Sequence, residues 1–348
     1  MAAHAGFLQR AAARLRSAAC HGRGLARGAC ALALGLAAAG GEAKSATQAD
    51  FPARPIRIIV AAPPGSADDF FARVVGDALG AQYGERVVID PRPGAGGLIG
   101  NVLVSQAGAD GYTLGMVGVT RLINALMREQ PPYRALGDIA AVVHVASITN
   151  VLIVAPDMPV RTAAEFVRYA RVRPGDLNYA SMGIGSASHL AGAVLSRALG
   201  IRAVHVPFRT VVQSDVEMGL GLVHYAVLTL PAVLAPLKEG RLRALAVMTP
   251  RRSPTLPQVP AIGEVGLPDA QFDSWSGIVA PRGTLRRIVE QLHGDTTRAL
   301  RTPALRKRFS SQGAESVPDS TPDGFMRMMQ DEYIRYEAVI REGGIKPE

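Results

Sequence analysis

Apolar residues return along this chain in two rhythms. Short β-branched runs alternate with longer stretches in which apolar residues recur every three or four positions. The runs read as buried strands and the stretches as amphipathic helices, so the alternation predicts an α/β fold with parallel sheets built from βαβ units. Strands are predicted over Ile56–Ala61, Val87–Asp90, Thr113–Val117, Val142–Ser147, Val151–Val154, Asn178–Ala180, Ala203–Val206, Tyr225–Thr229, Leu245–Val247 and Gly277–Val279. Helices are predicted over Asp69–Tyr83, Leu98–Gln106, Ala163–Val172, His189–Leu199, Leu285–Leu300 and Pro322–Arg341. In the last of these, Phe325, Met328, Met329, Tyr333, Tyr336, Val339 and Ile340 make one stripe, which reads as core. No internal repeat or low-complexity segment interrupts the pattern.

Three strand–loop–helix junctions carry glycine and small polar residues: Pro63–Asp69 (PPGSADD), Arg92–Gly100 (RPGAGGLIG) and Ser181–His189 (SMGIGSASH). In the first, Pro63 and Pro64 cannot donate ladder hydrogen bonds and stop the strand. Gly65 and Ser66 then open a helix whose Phe70, Val74, Ala78 and Phe71, Val75, Leu79 repeat every four residues. Such a junction presents unpaired N–H groups and the positive end of a helix dipole, a site for a carboxylate or phosphate. Two of these loops facing each other would clamp a small anion without a catalytic side chain.

The N-terminus modifies the composition. Residues 1–28 carry five arginines and no acid, and Ala29–Ala39 is an apolar run of 11 residues, too short to span a bilayer. Thr47-Gln48-Ala49 fits a small-x-Ala cleavage site, so residues 1–49 read as a secretory signal peptide, with cleavage after Ala39 as the alternative. Removing 1–49 leaves 32 basic and 28 acidic residues, which lowers the net charge from +9 to +4 and takes away most of the case for nucleic-acid binding. It also removes both cysteines, Cys20 and Cys30, and with them any disulfide, thiolate-held metal or cysteine nucleophile. The remaining 50–348 contains no apolar run of spanning length and suits two domains or one large α/β unit.

Chemistry-bearing patterns are weak. The glycines of Gly94–Gly100 and Gly183–Ser188 match a dinucleotide fingerprint only loosely, without the acid expected about 20 residues on. Ser186 is not in a nucleophile elbow, because Ile184 and Ser188 stand where glycines are needed. His144, His205, His224 and His293 show no metal-ligand spacing, and Trp275, the only tryptophan, reads as a packing anchor between lobes. No cofactor, no metal and no catalytic residue are expected.

Several ordered landmarks carry a family resemblance: FPARPIRIIV followed by PPG-x-x-x-D, VVIDPRPGAGGLIG, ADGYTL, NYASMGIGSASHLAG, HVPF, LRALAV with RRSPTLPQVPAIGEVGLP, SWSGIVAP and a GIKPE ending. From about Phe51 to Glu348 the chain resembles the Bug-type, TctC-like periplasmic solute-binding proteins of tripartite tricarboxylate transporters. The resemblance implies a two-lobed type II periplasmic-binding-protein fold, with crossover strands near Ile148–Val154 and Asp273–Val279. Lobe 1 would be 50–150 plus 276–348 and lobe 2 151–275. It implies a monomer that captures a small carboxylate and delivers it to membrane permease subunits, without chemistry. A sensory protein feeding a membrane kinase would read alike, and a secreted hydrolase or oxidoreductase is the distant alternative.

Carried over position by position, the ligand contacts would be Pro64, Gly65, Ser66, Ala67, Asp69 and Thr120 in lobe 1, and Ser181, Gly183, Gly185, Ser186, Arg209 and Thr210 in lobe 2. Asp69 also has a structural reading, as an acid capping the first helical turn. Gly94, Ala95 and Gly96 read as turn-forming, and Arg209 either neutralises a ligand carboxylate or faces solvent. The chain departs from the family in Ser66, where a second glycine is usual, and in Asp68, an added acid that either faces solvent or pairs with a cationic group on the ligand. It departs again at Thr210–Gln213 and at His224-Tyr225.

Overall fold

The strands are β1 (Ile56–Val60), β2 (Val87–Pro91), β3 (Thr113–Gly118), β4 (Ile139–Ile148), β5 (Asn150–Val154), β6 (Asn178–Ser181), β7 (Val204–Pro207), β8 (Tyr225–Thr229), β9 (Arg243–Val247), β10 (Ser274–Pro281) and β11 (Ala314–Ser316). The structure is a computed structural model and describes residues 51–84, 86–342 and 345. The leader expected over residues 1–49 and nearly all of the GIKPE ending lie outside the described residues.

Two sheets result. The first has the order β11-β4-β10-β3-β1-β2 and the second β7-β6-β8-β5-β9. Both are mixed, which corrects the expectation of parallel sheets. β1 pairs in parallel with β2 and β3, but β10 runs antiparallel between β3 and β4. β6 pairs in parallel with β7 and β8, but β5 runs antiparallel between β8 and β9. β5 and β10 each follow a change of sheet, and β11 also pairs antiparallel, with β4. The chain leaves the first sheet at Ile148 and enters the second at Asn150, then returns between Val247 and Ser274.

Asn150 ties these two passages together. It is 3% exposed, and its Nδ2 donates to the Phe272 carbonyl and to Ser274 Oγ, both at 2.8 Å. Its own carbonyl accepts the Met248 N–H at 2.8 Å. A buried amide with this many partners fixes both connections at one point.

The helices are α1 (Ala67–Tyr83), α2 (Leu98–Ser105), α3 (Val119–Leu126), α4 (Ala163–Arg171), α5 (Ala187–Leu199), α6 (Val211–Gly219), α7 (Leu230–Lys238), α8 (Arg286–Leu300), α9 (Pro303–Ser310) and α10 (Pro322–Glu342). β1 shows why the first sheet forms. It lies inside the sheet between β2 and β3, and Ile56, Ile58, Ile59 and Val60 are all buried, as a strand covered on both faces requires. Each such side chain contributes about 1.5–3 kcal/mol by leaving water. On α10, Phe325, Met329, Tyr336 and Ile340 are buried, so the stripe read as core is core. Trp275 packs within the layer of the first sheet, edge-on to Phe325 at 5.4 Å and to His144 at 6.4 Å. It belongs to a core cluster with residues of both sheets, and it also lines the cleft between them.

Candidate functional site

A cleft of about 950 Å³ lies between the two sheets, and helix starts surround it. The residues that cap the N-termini of α1, α3, α5, α6 and α7 (Ser66, Gly118, Ser186, Thr210 and Thr229) all line it. Each helix brings the positive end of its dipole and first-turn N–H groups without intrahelical partners. Arg128 and Arg209 add two full positive charges to the lining. The arrangement suits a small anion.

Two of the capping loops have the same construction. In the first, Gly65 has φ 78°, Ser66 is extended, the Ser66 N–H bonds the Pro63 carbonyl at 3.2 Å, and Ser66 Oγ accepts the Asp69 N–H at 3.3 Å. In the second, Gly185 has φ 75°, Ser186 is extended, the Ser186 N–H bonds the Gly183 carbonyl at 3.1 Å, and Ser186 Oγ accepts the His189 N–H at 3.2 Å. The reciprocal half of each cap is also present. Asp69 Oδ2 accepts the Gly65 N–H at 2.9 Å, and His189 Nδ1 accepts the Gly185 N–H at 3.3 Å. The sequence signal was available: Gly65-Ser66-Ala67 recurs as Gly185-Ser186-Ala187 at the head of two helices.

The supports behind the loops differ. Asp69 is buried and ion-paired to Arg73 on the next turn at 3.0 Å. His189 stacks on His205 with ring centroids 4.0 Å apart, and His205 Nε2 lies 2.5 Å from Ser181 Oγ, which also accepts the Gly183 N–H at 3.0 Å. Burial, helped by the neighbouring His189, pushes His205 down to about 4, so it is neutral at ordinary pH. Asp68 and Ser188 occupy matching places one residue earlier. Ser188 is buried at the cleft wall and accepts the Met182 N–H at 2.9 Å. Asp68 lines the cleft and accepts a short hydrogen bond from the buried Ser276 hydroxyl.

The two halves touch across the cleft. Thr120 Oγ1, at the start of α3, accepts the Ala187 N–H of α5 at 3.2 Å. The 94–97 loop meets the second capping loop so closely that a Cβ on Gly96 would sit 2.1 Å from the Ile184 carbonyl oxygen. Gly96 also has φ 63°, so both its backbone and its neighbour require glycine. Asn124 holds this loop by donating to the carbonyls of Ala95 and Gly96, each at 3.1 Å, and its Oδ1 accepts from Arg128 at 3.0 Å.

Of the residues read from sequence as ligand contacts, Pro64, Ser66, Ala67, Thr120, Gly183, Ser186, Arg209 and Thr210 line the cleft. Asp69, Ser181 and Gly185 are buried behind that surface, and Gly65 is exposed beside it; all four shape the loops that form it. Asp68 is half-buried at the cleft, with one carboxylate oxygen held against Ser276. Arg209 is exposed at the cleft and has no acidic partner among the described residues. The sequence reading missed Arg128, Asn150, Ser274 and Thr229, and read the 94–97 loop as a turn only, whereas it is a turn that also forms wall. Ser186 serves as a helix cap. Among the described residues no group of three His, Cys, Asp or Glu could hold a metal ion, and no helix is long and apolar enough to cross a membrane.

Known proteins are similar to this chain. BugT of Bordetella pertussis is 33% identical over 298 residues, covering 85% of this chain and 91% of BugT. The solved structure of Rpa4515 of R. palustris with adipate superposes with a TM-score of 0.81 at 31% identity, covering 85% of this chain and 99% of that one. MatC from Rhodopseudomonas palustris with bound malate gives 0.78 at 29% identity, covering 83% and 100%. Residues 71–345 match the profile described as "Tripartite tricarboxylate transporter family receptor". The two-lobed α/β fold, the capped loops at its cleft and these matches together place the chain in the TctC family, the receptors of tripartite tricarboxylate transporters.

Proposed function

We propose that this chain is a periplasmic solute-binding protein that captures a small carboxylate between two lobes and delivers it to the membrane permease of a tripartite tricarboxylate transporter. Lobe 1 comprises 50–150 plus 276–348 and lobe 2 comprises 151–275, with closure about the Asn150 junction. The observation that carries the reading is the convergence of five helix N-termini, Arg128 and Arg209 on one cleft. The adipate held by Rpa4515 and the malate held by MatC support the ligand class. Free N–H groups of the α1 start and the hydroxyls of Ser66, Ser186 and Thr210 take the carboxylates, and Arg209 meets one from the cleft mouth. The basic start and the short apolar run within 1–49 support export, and the protein works as a monomer that turns over no substrate.

The test is a thermal-shift titration of the mature protein with linear and hydroxylated dicarboxylic acids. A ligand that binds only the folded state raises Tm with concentration, by about 2.7 kcal/mol of stability at one hundred times Kd. No shift with any acid in millimolar excess contradicts the reading.

A further inference from the structure

Asp68 does not fit a cleft built only for anions. It is the one acid in a lining otherwise made of helix starts, hydroxyls, apolar surface and two arginines. Its Oδ1 is engaged by Ser276, which is fully buried in β10, and no described residue donates to Oδ2 or offers it a cation. Gly118, at the start of α3, stands beside the carboxylate, and a Cβ there would lie 3.5 Å from each oxygen. An acid serving only to offset the α1 dipole would do so as well in water. Burial instead pushes this carboxyl up to about 6, against the pull of the Ser276 hydrogen bond, so the ionised form is held at a cost. The matching position of the other loop is the neutral Ser188, whose hydroxyl is consumed by the Met182 N–H. The loop construction itself therefore does not need an acid there.

We propose that Asp68 makes this cleft selective for a carboxylic acid that also carries a protonated nitrogen, the ammonium docking on Asp68 Oδ2 while the carboxylate lies among the helix starts. The inference rests on the carboxylate reading above. An ammonium supplies the hydrogen bonds and the counter-charge that Oδ2 lacks. A plain dicarboxylate would instead bring like charge towards an ionised group.

Titration calorimetry at pH 7.5 with matched acids tests it: succinate against L-aspartate, glutarate against L-glutamate, adipate against L-2-aminoadipate, and valerate against 5-aminovalerate. The wild type is expected to bind at least one nitrogen-bearing member tenfold or more tightly than its partner. Asp68→Asn should erase that preference and leave the nitrogen-free acid equal or tighter. Asp68→Ser, which copies the other loop, guards against a failure peculiar to the amide and should behave the same. If the wild type binds acids of the panel with no preference for the nitrogen-bearing members, or if the preference survives in both variants, the inference is overturned while the carboxylate reading stands. If no acid of either kind binds, the carboxylate reading falls and takes this inference with it.

Discussion

The two capping loops are near copies in backbone and unlike in what supports them. Gly65-Ser66-Ala67 and Gly185-Ser186-Ala187 share φ, cap geometry and the reach-back from the third helical residue. That residue is Asp69 in one loop, charged and paired with Arg73, and His189 in the other, stacked on His205. What recurs is thus a way of freeing helix N–H groups towards a cleft, and either an acceptor oxygen or an acceptor nitrogen maintains it. The difference gives each lobe its own chemistry: a fixed ion pair behind the first loop and a desolvated imidazole pair behind the second.

Several variants separate the shared part from the divergent part. Gly96→Val puts a side chain where the Ile184 carbonyl lies and forces a left-handed backbone on a β-branched residue. It is expected to weaken carboxylate binding at least a hundredfold in calorimetry, because the two loops can no longer meet; unchanged affinity would mean their contact is incidental. Next come the supports. Asp69→Ala strands the Gly65 N–H and unpairs Arg73, and should cost about 1–3 kcal/mol in urea unfolding, with His189→Ala at the lower end of that range. Equal and negligible losses would show that the caps hold without their third residue.

The imidazole pair makes stability fall towards acid pH. An unfolded His takes up a proton near pH 6.5, whereas His205, facing the Ser181 hydroxyl, the His189 ring and the Tyr179 ring, waits until about 4. Unfolding therefore binds a proton in that window, and stability present above pH 6.5 is lost as pH falls towards 4. His205→Gln should flatten this fall by about 1 kcal/mol, read from Tm against pH. Asp68 gives an effect of similar size and the opposite sign. Its folded state holds a proton more tightly than the unfolded chain, so its contribution falls as pH rises from 3.8 to about 6. Asp68→Asn should therefore stabilise the protein by about 1 kcal/mol at pH 8 and not at pH 3.5, in the same Tm series.

Interior strands such as β1, β5 and β8 were legible as buried apolar runs, and the half-exposed edge strands β2 and β7 as short apolar runs between turns; all ten predicted strands are present, with ends shifted by a few residues, and only the three-residue β11 was missed. The helices missed include α3, α6 and α7, which begin at the cleft. α3 follows β3 and α7 follows β8 with no residue between, so strand and helix merge into one apolar run. α6 opens on Val211-Val212, and α7 contains Pro231 and Pro236, local preferences that tertiary packing overrides. Within the site, the glycine and serine of each loop could be read because their φ and cap roles are local. Arg128 could not, since its place depends on Asn124 and the 94–97 loop coming together in space. Asp68 was visible as an odd charge, but its hold on Ser276 spans the chain from α1 to β10.

If both loops close on one ligand, their backbone amides must change together. Hydrogen exchange followed by mass spectrometry, with and without the tightest acid of the panel at saturation, reports this for residues 66–69 and 183–189 in one experiment. Slower exchange in both segments, on binding of a single equivalent, is the predicted result. Protection confined to one segment, or none in either at saturation, would contradict a clamp made of two loops.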